Sequence, residues 1–347
     1  MKRKLFIIGI CVAMLCAGCA INDSASYDET DSSKDSTSAT KEVFAMDTYM
    51  TVTAYGDDAD AAVAAAVDEI NRIDAMLSTG NPHSEIAKLN LVGSGTLSEE
   101  TAGLVERSLE IGESVDGQFN IAIYPVMQLW GFYTGNYNVP SDDELTEALA
   151  LSDLSEITFD SETGEISFEK DGMAIDLGGI AKGYTSGRLM EIFEEYGCSG
   201  IVSLGGNIQA TGEKPDGSKW KIAIQDPDDS SSYLGYVETD GVAVVTSGGY
   251  ERYFEEDGVT YHHIIDPDTG YPADSGVVSA SIISNDGTLA DALSTTTFIM
   301  GVDDASEYWR NHSDEFDMVL YTEDGTLYVT DGIADSFVTD LDMTIIK

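Results

Sequence analysis

Cysteine is nearly absent from the body of this chain. Of four cysteines, Cys11, Cys16 and Cys19 fall within the first twenty residues and only Cys198 lies beyond. No disulfide can form within that body, so its core stands on packing and gains nothing from an oxidising compartment. Cys198 reads as a small buried hydrophobe. Positive charge is scarce too: 17 Lys and Arg stand against 63 Asp and Glu, a formal net charge of −46. So acidic a surface repels nucleic acid and anionic lipid. A phosphate-bearing ligand would therefore call for divalent cations beside it. Long apolar runs are missing as well. The run Leu5–Cys16, preceded by Lys2, Arg3 and Lys4, is too short to span a bilayer and has the layout of a secretory signal. Small residues then precede Cys19, as at a lipoprotein processing site. Residues 1–18 are thus expected to be a lipoprotein signal peptide, with Cys19 lipidated and the rest on the extracytoplasmic side of the membrane.

Residues 19–40 are rich in Ser, Asp and Thr without periodicity, which predicts a flexible tether. Residues 41–347 follow as one domain of two lobes at most. MDTYMTVTAYG alternates as a strand, and DDADAAVAAAVDEINRIDAML carries acids at its start and an apolar stripe of Val63, Val67, Ile70, Ile73 and Leu77, predicting a helix. Further helices are expected from Ser98 to about Ser114, after a capping box at Ser141–Glu144, and over 181–196, 290–300 and 304–312. Strands are expected near 156–159, 165–169, 200–204, 219–225, 242–246 and 277–284. Strands and helices mix without a regular βαβ period, so the fold class is α+β rather than a doubly wound sheet.

Three segments carry groups suited to chemistry. IDLGGIAKGY (Ile175–Tyr184) runs from an apolar strand end through Gly178-Gly179 into a helix start, where exposed amides and Lys182 favour an anion. Its spacing is not that of a Walker A loop, and a tight strand–helix turn is the plainer reading. In ADALST, Asp291 and Thr295 stand four apart and share a helix face, so a carboxylate and a hydroxyl could hold Mg2+ together. An N-cap and a surface threonine would look the same. The third segment runs from Thr246 to Pro272, TSGGYERYFEEDGVTYHHIIDPDTGYP. Strand alternation would send His262 and His263 to opposite sides, and a histidine near phosphorus could take a proton, oriented by Asp266. No Cys/His spacing suits zinc, and Ser247-Gly248-Gly249 is not a G-x-S-x-G elbow. NIAIYPVMQLW (Asn120–Trp130) and Leu204-Gly205-Gly206-Asn207 look like loops lining a cleft.

Together these residues resemble the ApbE family, the FAD:protein FMN transferases. The resemblance rests on Met46-Asp47-Thr48, Ser84-Glu85-Ile86, Gly117-Gln118-Phe119-Asn120, Trp130-Gly131-Phe132, IDLGGIAKGY, LGGN, TSGGYERYF, HHIIDPDTGYP and ADALST, from about Val43 to Ile345. It implies a two-lobed, T-fold-related domain that uses FAD as substrate and Mg2+ as cofactor. FMN would pass to a threonine hydroxyl of an acceptor flavoprotein, with release of AMP. It further implies that Asp291, Thr295 and the main-chain oxygen of Ala181 hold the metal, and that Met46, Phe119, Asn120, Asp176, Gly178, Lys182 and His263 line the FAD site. His263 and Asp291 would be the catalytic pair. Likeness to the family also points to acceptor subunits of Rnf or NADH:quinone reductase complexes. The chain departs from the family at Gly80, where members often carry an aromatic, and at Asn120, where many carry Asp. FAD hydrolysis to FMN and AMP, or FAD storage without catalysis, are the alternatives.

Overall fold

The computed structural model describes residues 37–347. The expected leader and Cys19 lie outside the described residues. The first strand, β1 (Ser38–Ala45), pairs antiparallel with β2 (Thr48–Tyr55), so Ser38–Thr40, expected to close the tether, are already strand. Between them Met46 and Asp47 turn the chain with φ of 49° and 57°.

Seven further strands complete a nine-stranded sheet: β3 (Ser199–Leu204), β4 (Asn207–Thr211), β5 (Ala243–Gly248), β6 (Val277–Ser284), β7 (Asp317–Thr322), β8 (Leu327–Thr330) and β9 (Met343–Ile346). Their spatial order is their chain order, antiparallel throughout except for the parallel pair β8–β9. Helices enter between strands as α1 (Ala59–Leu77), α2 (Glu85–Val92), α3 (Glu99–Ser114), α4 (Tyr124–Trp130), α5 (Asp142–Leu149), α6 (Ala181–Glu195) and α7 (Gly287–Asn311). The α+β class follows from this arrangement.

The period of two along each strand divides two cores. Val245 and Ile282 face the helices, while Val244 and Ile283 face a small sheet formed by Trp220–Gln225, Tyr233–Thr239 and Phe337–Val338. On the helical side α1 buries Val63, Ile70, Ile73 and Leu77, together with Ala62 and Ala66; Val67 of the expected stripe is half-buried. Each such large aliphatic side chain contributes about 1.5–3 kcal/mol on burial. The Ser141–Glu144 capping box opens α5 as the sequence indicates. A separate aromatic core joins α4 to the hairpin Tyr253–Glu256/Val259–His262 through Trp130, Phe132, Phe254, Tyr261 and Tyr271. Trp130, in a segment expected along the cleft, is fully buried here and donates its indole N–H to the Gly270 carbonyl at 2.8 Å.

The two helices expected over 290–300 and 304–312 form one element, α7, bent at Gly301, where φ is 77° and ψ 178°. That backbone region is essentially closed to residues bearing a Cβ. Gly301→Ala is expected to cost about 1–3 kcal/mol, read as a lower denaturant midpoint with an unchanged slope.

Candidate active site

Five turns meet at one end of the central sheet: the starts of α6 and α7, the β1–β2 and β3–β4 turns, and the segment after β5. The helix starts are drawn together by a glycine pair. A Cβ on Gly183 would stand 2.0 Å from the Gly287 carbonyl oxygen and 2.6 Å from Asp291 Cβ, so only glycine permits this approach. Because the helices come so close, Asp291 reaches across and accepts the Gly183 amide at 2.8 Å through Oδ2. Its Oδ1 lies 3.8 Å from Lys182 Nζ. The carboxylate is 4 % exposed. Taking a carboxylate out of water is costly unless cations or donors surround it. One amide and a loosely placed lysine leave room for another cation.

Thr295, one turn along α7, sits beside Ser247 of β5, whose hydroxyl lies 3.2 Å from Thr295 Oγ1 and 2.8 Å from Ser294 Oγ. Asp291 and Thr295 therefore share a face, as their spacing indicates. Ala181 is different. Its carbonyl lies inside the first turn of α6 and accepts the Thr185 hydroxyl at 2.7 Å. The Gly183 amide, one of the first-turn donors that a helix leaves unpaired, is the one that Asp291 takes. The donor set remains all oxygen, which suits a hard cation such as Mg2+. Among the described residues no group of three His, Cys, Asp or Glu is placed to hold a metal.

His262 and His263 do point to opposite sides, yet both are partly buried. The ring of His262 meets Phe298 edge-on and that of His263 meets Phe132. Asp266 does not orient His263. It caps its own turn by accepting from the Asp268 amide and the Thr269 hydroxyl, and the Nδ1–H of His263 donates to the Arg252 carbonyl at 3.2 Å. That bond leaves Nε2 as the free acceptor. Burial, with the positive charge of Arg252, His262 and Lys182, pushes His263 down to about 3, so the ring is neutral at pH 7. Arg252 also donates to the Asp47 carbonyl at 3.1 Å, tying this strand end to the β1–β2 turn.

The remaining expected residues form a wall beside α6. Asp176 accepts a short hydrogen bond from the Tyr133 hydroxyl, and burial raises its carboxyl above the usual range while Tyr133 and the Gly178 amide oppose that rise. Gly178 stands directly over this carboxylate: a Cβ there would lie 2.9 Å from Asp176 Oδ2. Phe119 lies against Gly179 in the same way. Asn120 spends both ends of its amide on the backbone, donating to Ser152 O and accepting from Ala122 N, each at 2.8 Å. It shapes the short turn whose Ile121 carbonyl accepts the Asp176 amide. Met46 supplies a thioether 3.9 Å from the Thr185 hydroxyl.

The ApbE family model matches residues 46–320. The chain belongs to the ApbE family. It is 32% identical over 270 residues to an FAD:protein FMN transferase of Klebsiella pneumoniae, covering 76% of this chain and 83% of that protein. An FAD:protein FMN transferase of Treponema pallidum is 34% identical over 276 residues, covering 73% and 76%. The crystal structure of the ApbE protein of Thermotoga maritima superposes with a TM-score of 0.81 at 32% identity, over 86% of this chain and 99% of that one.

One site residue of this ApbE chain escaped the sequence reading. Glu251, in TSGGYERYF, places Oε1 at the Gly206 turn, 3.5 Å from where a Cβ would stand. The residue as a whole is exposed, yet protein surrounds its carboxyl closely enough to raise it to about 7 by desolvation; Asp291 adds to the rise, and Lys182 and Arg252 oppose it. A carboxylate two residues after a double glycine at a strand end was the available signal. Since its folded value lies above its unfolded one, its contribution to stability is present at low pH and lost as pH rises through about 7. Glu251→Gln is expected to flatten the fall in melting temperature between pH 5 and 8 relative to the parent protein; parallel curves would show that the carboxyl is not desolvated.

Proposed function

We propose that this protein transfers FMN from FAD to a threonine hydroxyl of an acceptor flavoprotein, releasing AMP, with Mg2+ at the Asp291 corner. The observation that carries this reading is the buried Asp291 carboxylate, held between two helix starts with Thr295 on the same helix face. When bound, Mg2+ would be held by Asp291, Thr295 and the main-chain oxygen of Ala181, and would neutralise pyrophosphate charge as the leaving group departs.

The chain's own residues account for the rest. The start of α6 has no side-chain cap; with the Ala181 amide on the Leu177 carbonyl and the Gly183 amide on Asp291, the Lys182 amide and the positive end of the helix are left to attract a phosphate. Lys182 and Arg252 add charge in a protein that has little of it. His263, neutral and with Nε2 free, accepts the proton of the attacking hydroxyl; the phosphate negative charge nearby raises its proton affinity from the low ligand-free value. The Phe119, Gly178 and Asp176 wall and Met46 position the flavin half. The reaction balances as one P–O bond formed to threonine and one broken to AMP, with the hydroxyl proton leaving through His263.

Lipidation at Cys19 would hold this site on the extracytoplasmic face of the membrane, within reach of acceptor subunits of the Rnf or NADH:quinone reductase type. The test incubates the protein with FAD, Mg2+ and a threonine-bearing acceptor domain and follows free AMP and acceptor mass. AMP in step with an FMN-sized gain is expected; AMP with no gain would mean hydrolysis, and FAD bound without AMP would mean storage. Asp291→Ala is expected to lower turnover at least ~100-fold with the fold retained by circular dichroism. His263→Ala is expected to lower it by ~100- to 10,000-fold, chiefly in kcat.

A further inference from the structure

Asn207 opens β4 directly after the Gly205–Gly206 turn, is 2 % exposed, and its Nδ2 has no hydrogen-bond partner. Buried amides are nearly always paired, so an unpaired one calls for an explanation. Strand register says where it faces. Residues 207 and 209 share a side of β4. Gln209 meets α6 and α7, accepting the Ser186 hydroxyl at 2.6 Å with its Oε1 close to Gly287. β3 runs back along α6, so that Gly200 contacts Phe193 near the helix end and Leu204, paired with Asn207, lies toward the helix start. Asn207 therefore lies one strand repeat from Gln209 toward Lys182 and Gly183. The adjoining turn carries Glu251 against Gly206.

Its polar neighbours on this face are satisfied. Gln209 has Ser186, Ser247 has Ser294 and Thr295, and Asp291 has the Gly183 amide. The other buried unpartnered side-chain atom among the described residues, Ser279 Oγ, shares strand parity with Ile283 and so faces the outer core, away from the site.

We propose that Asn207 is a positioning residue for the substrate, its amide N–H donating to a phosphate oxygen held at the start of α6. This rests on the flavin-transfer reading, since FAD supplies the phosphate. A hydrogen bond to a charged acceptor formed in a buried pocket is strong, and the ligand provides the partner that the fold withholds.

The test compares the full-length protein with Asn207→Ala and Asn207→Asp. No hydrogen bond of the ligand-free protein is lost in Asn207→Ala, so its melting temperature is expected to stay level or rise. Its Kd for FAD, and for ADP as a flavin-free pyrophosphate probe, is expected to rise ~10- to 100-fold in the presence of Mg2+. Asn207→Asp keeps the volume and sets a negative charge against the phosphate, so its loss is expected to be larger. Unchanged Kd values in Asn207→Ala alongside normal FAD turnover by the parent would overturn the role of Asn207 alone. Failure of the parent to bind FAD would overturn the flavin reading and this role with it. A fall in the ligand-free melting temperature of Asn207→Ala, with unaltered FAD affinity in Asn207→Asp, would mark a structural residue and also sink the proposal.

Discussion

A single hydrogen bond, from the Gly183 amide to the Asp291 carboxylate, organises the functional end of this protein. It exists because two glycines let the starts of α6 and α7 touch, and it binds them more firmly than a neutral hydrogen bond could. It also has a side effect: the carboxylate it holds is buried with one lysine loosely placed beside it.

The electrostatics of the cleft make sense against the whole molecule. A chain with a net charge of −46 is poorly suited to attract a dianionic ligand. Lys182, Arg252 and the start of α6 gather at one place; burial chiefly depresses His263 with Arg252 and Lys182 adding to it, and the same two cations oppose the desolvation that raises Glu251. A neutral histidine and a carboxyl near its half-protonated point then stand in one cleft, with perturbed proton affinities of the kind that mark working sites.

Two packing units bring these groups together. The sheet and its helices fix Asp291, Lys182 and Asn207, whereas the aromatic core around Trp130 and Phe254 carries the hairpin that ends in His263. Arg252 links the units, giving its carbonyl to His263 and its guanidinium to Asp47. The placement of His263 relative to Asp291 is therefore set by side-chain packing on both sides of the cleft.

Much of this was legible in one dimension. The α1 stripe, the capping box at Ser141, the alternation of β2 and the i, i+4 placement of Asp291 and Thr295 follow from local periodicity, which needs no knowledge of what lies across the fold. The family motifs likewise pointed to the family, since they are contiguous. What the sequence could not contain are contacts between distant segments. β1 hid in a polar run because its partner β2, not its composition, makes it a strand. The two expected helices merged because Gly301 bends the chain without ending it. Asp266 lost His263 to the Arg252 carbonyl, because hydrogen-bond partners are chosen by approach in space. Sequence by itself determined which chemical groups are present and which faces are apolar; only the tertiary structure decided which buried amide and carboxylate would find partners, because desolvation and hydrogen bonding depend on what surrounds an atom.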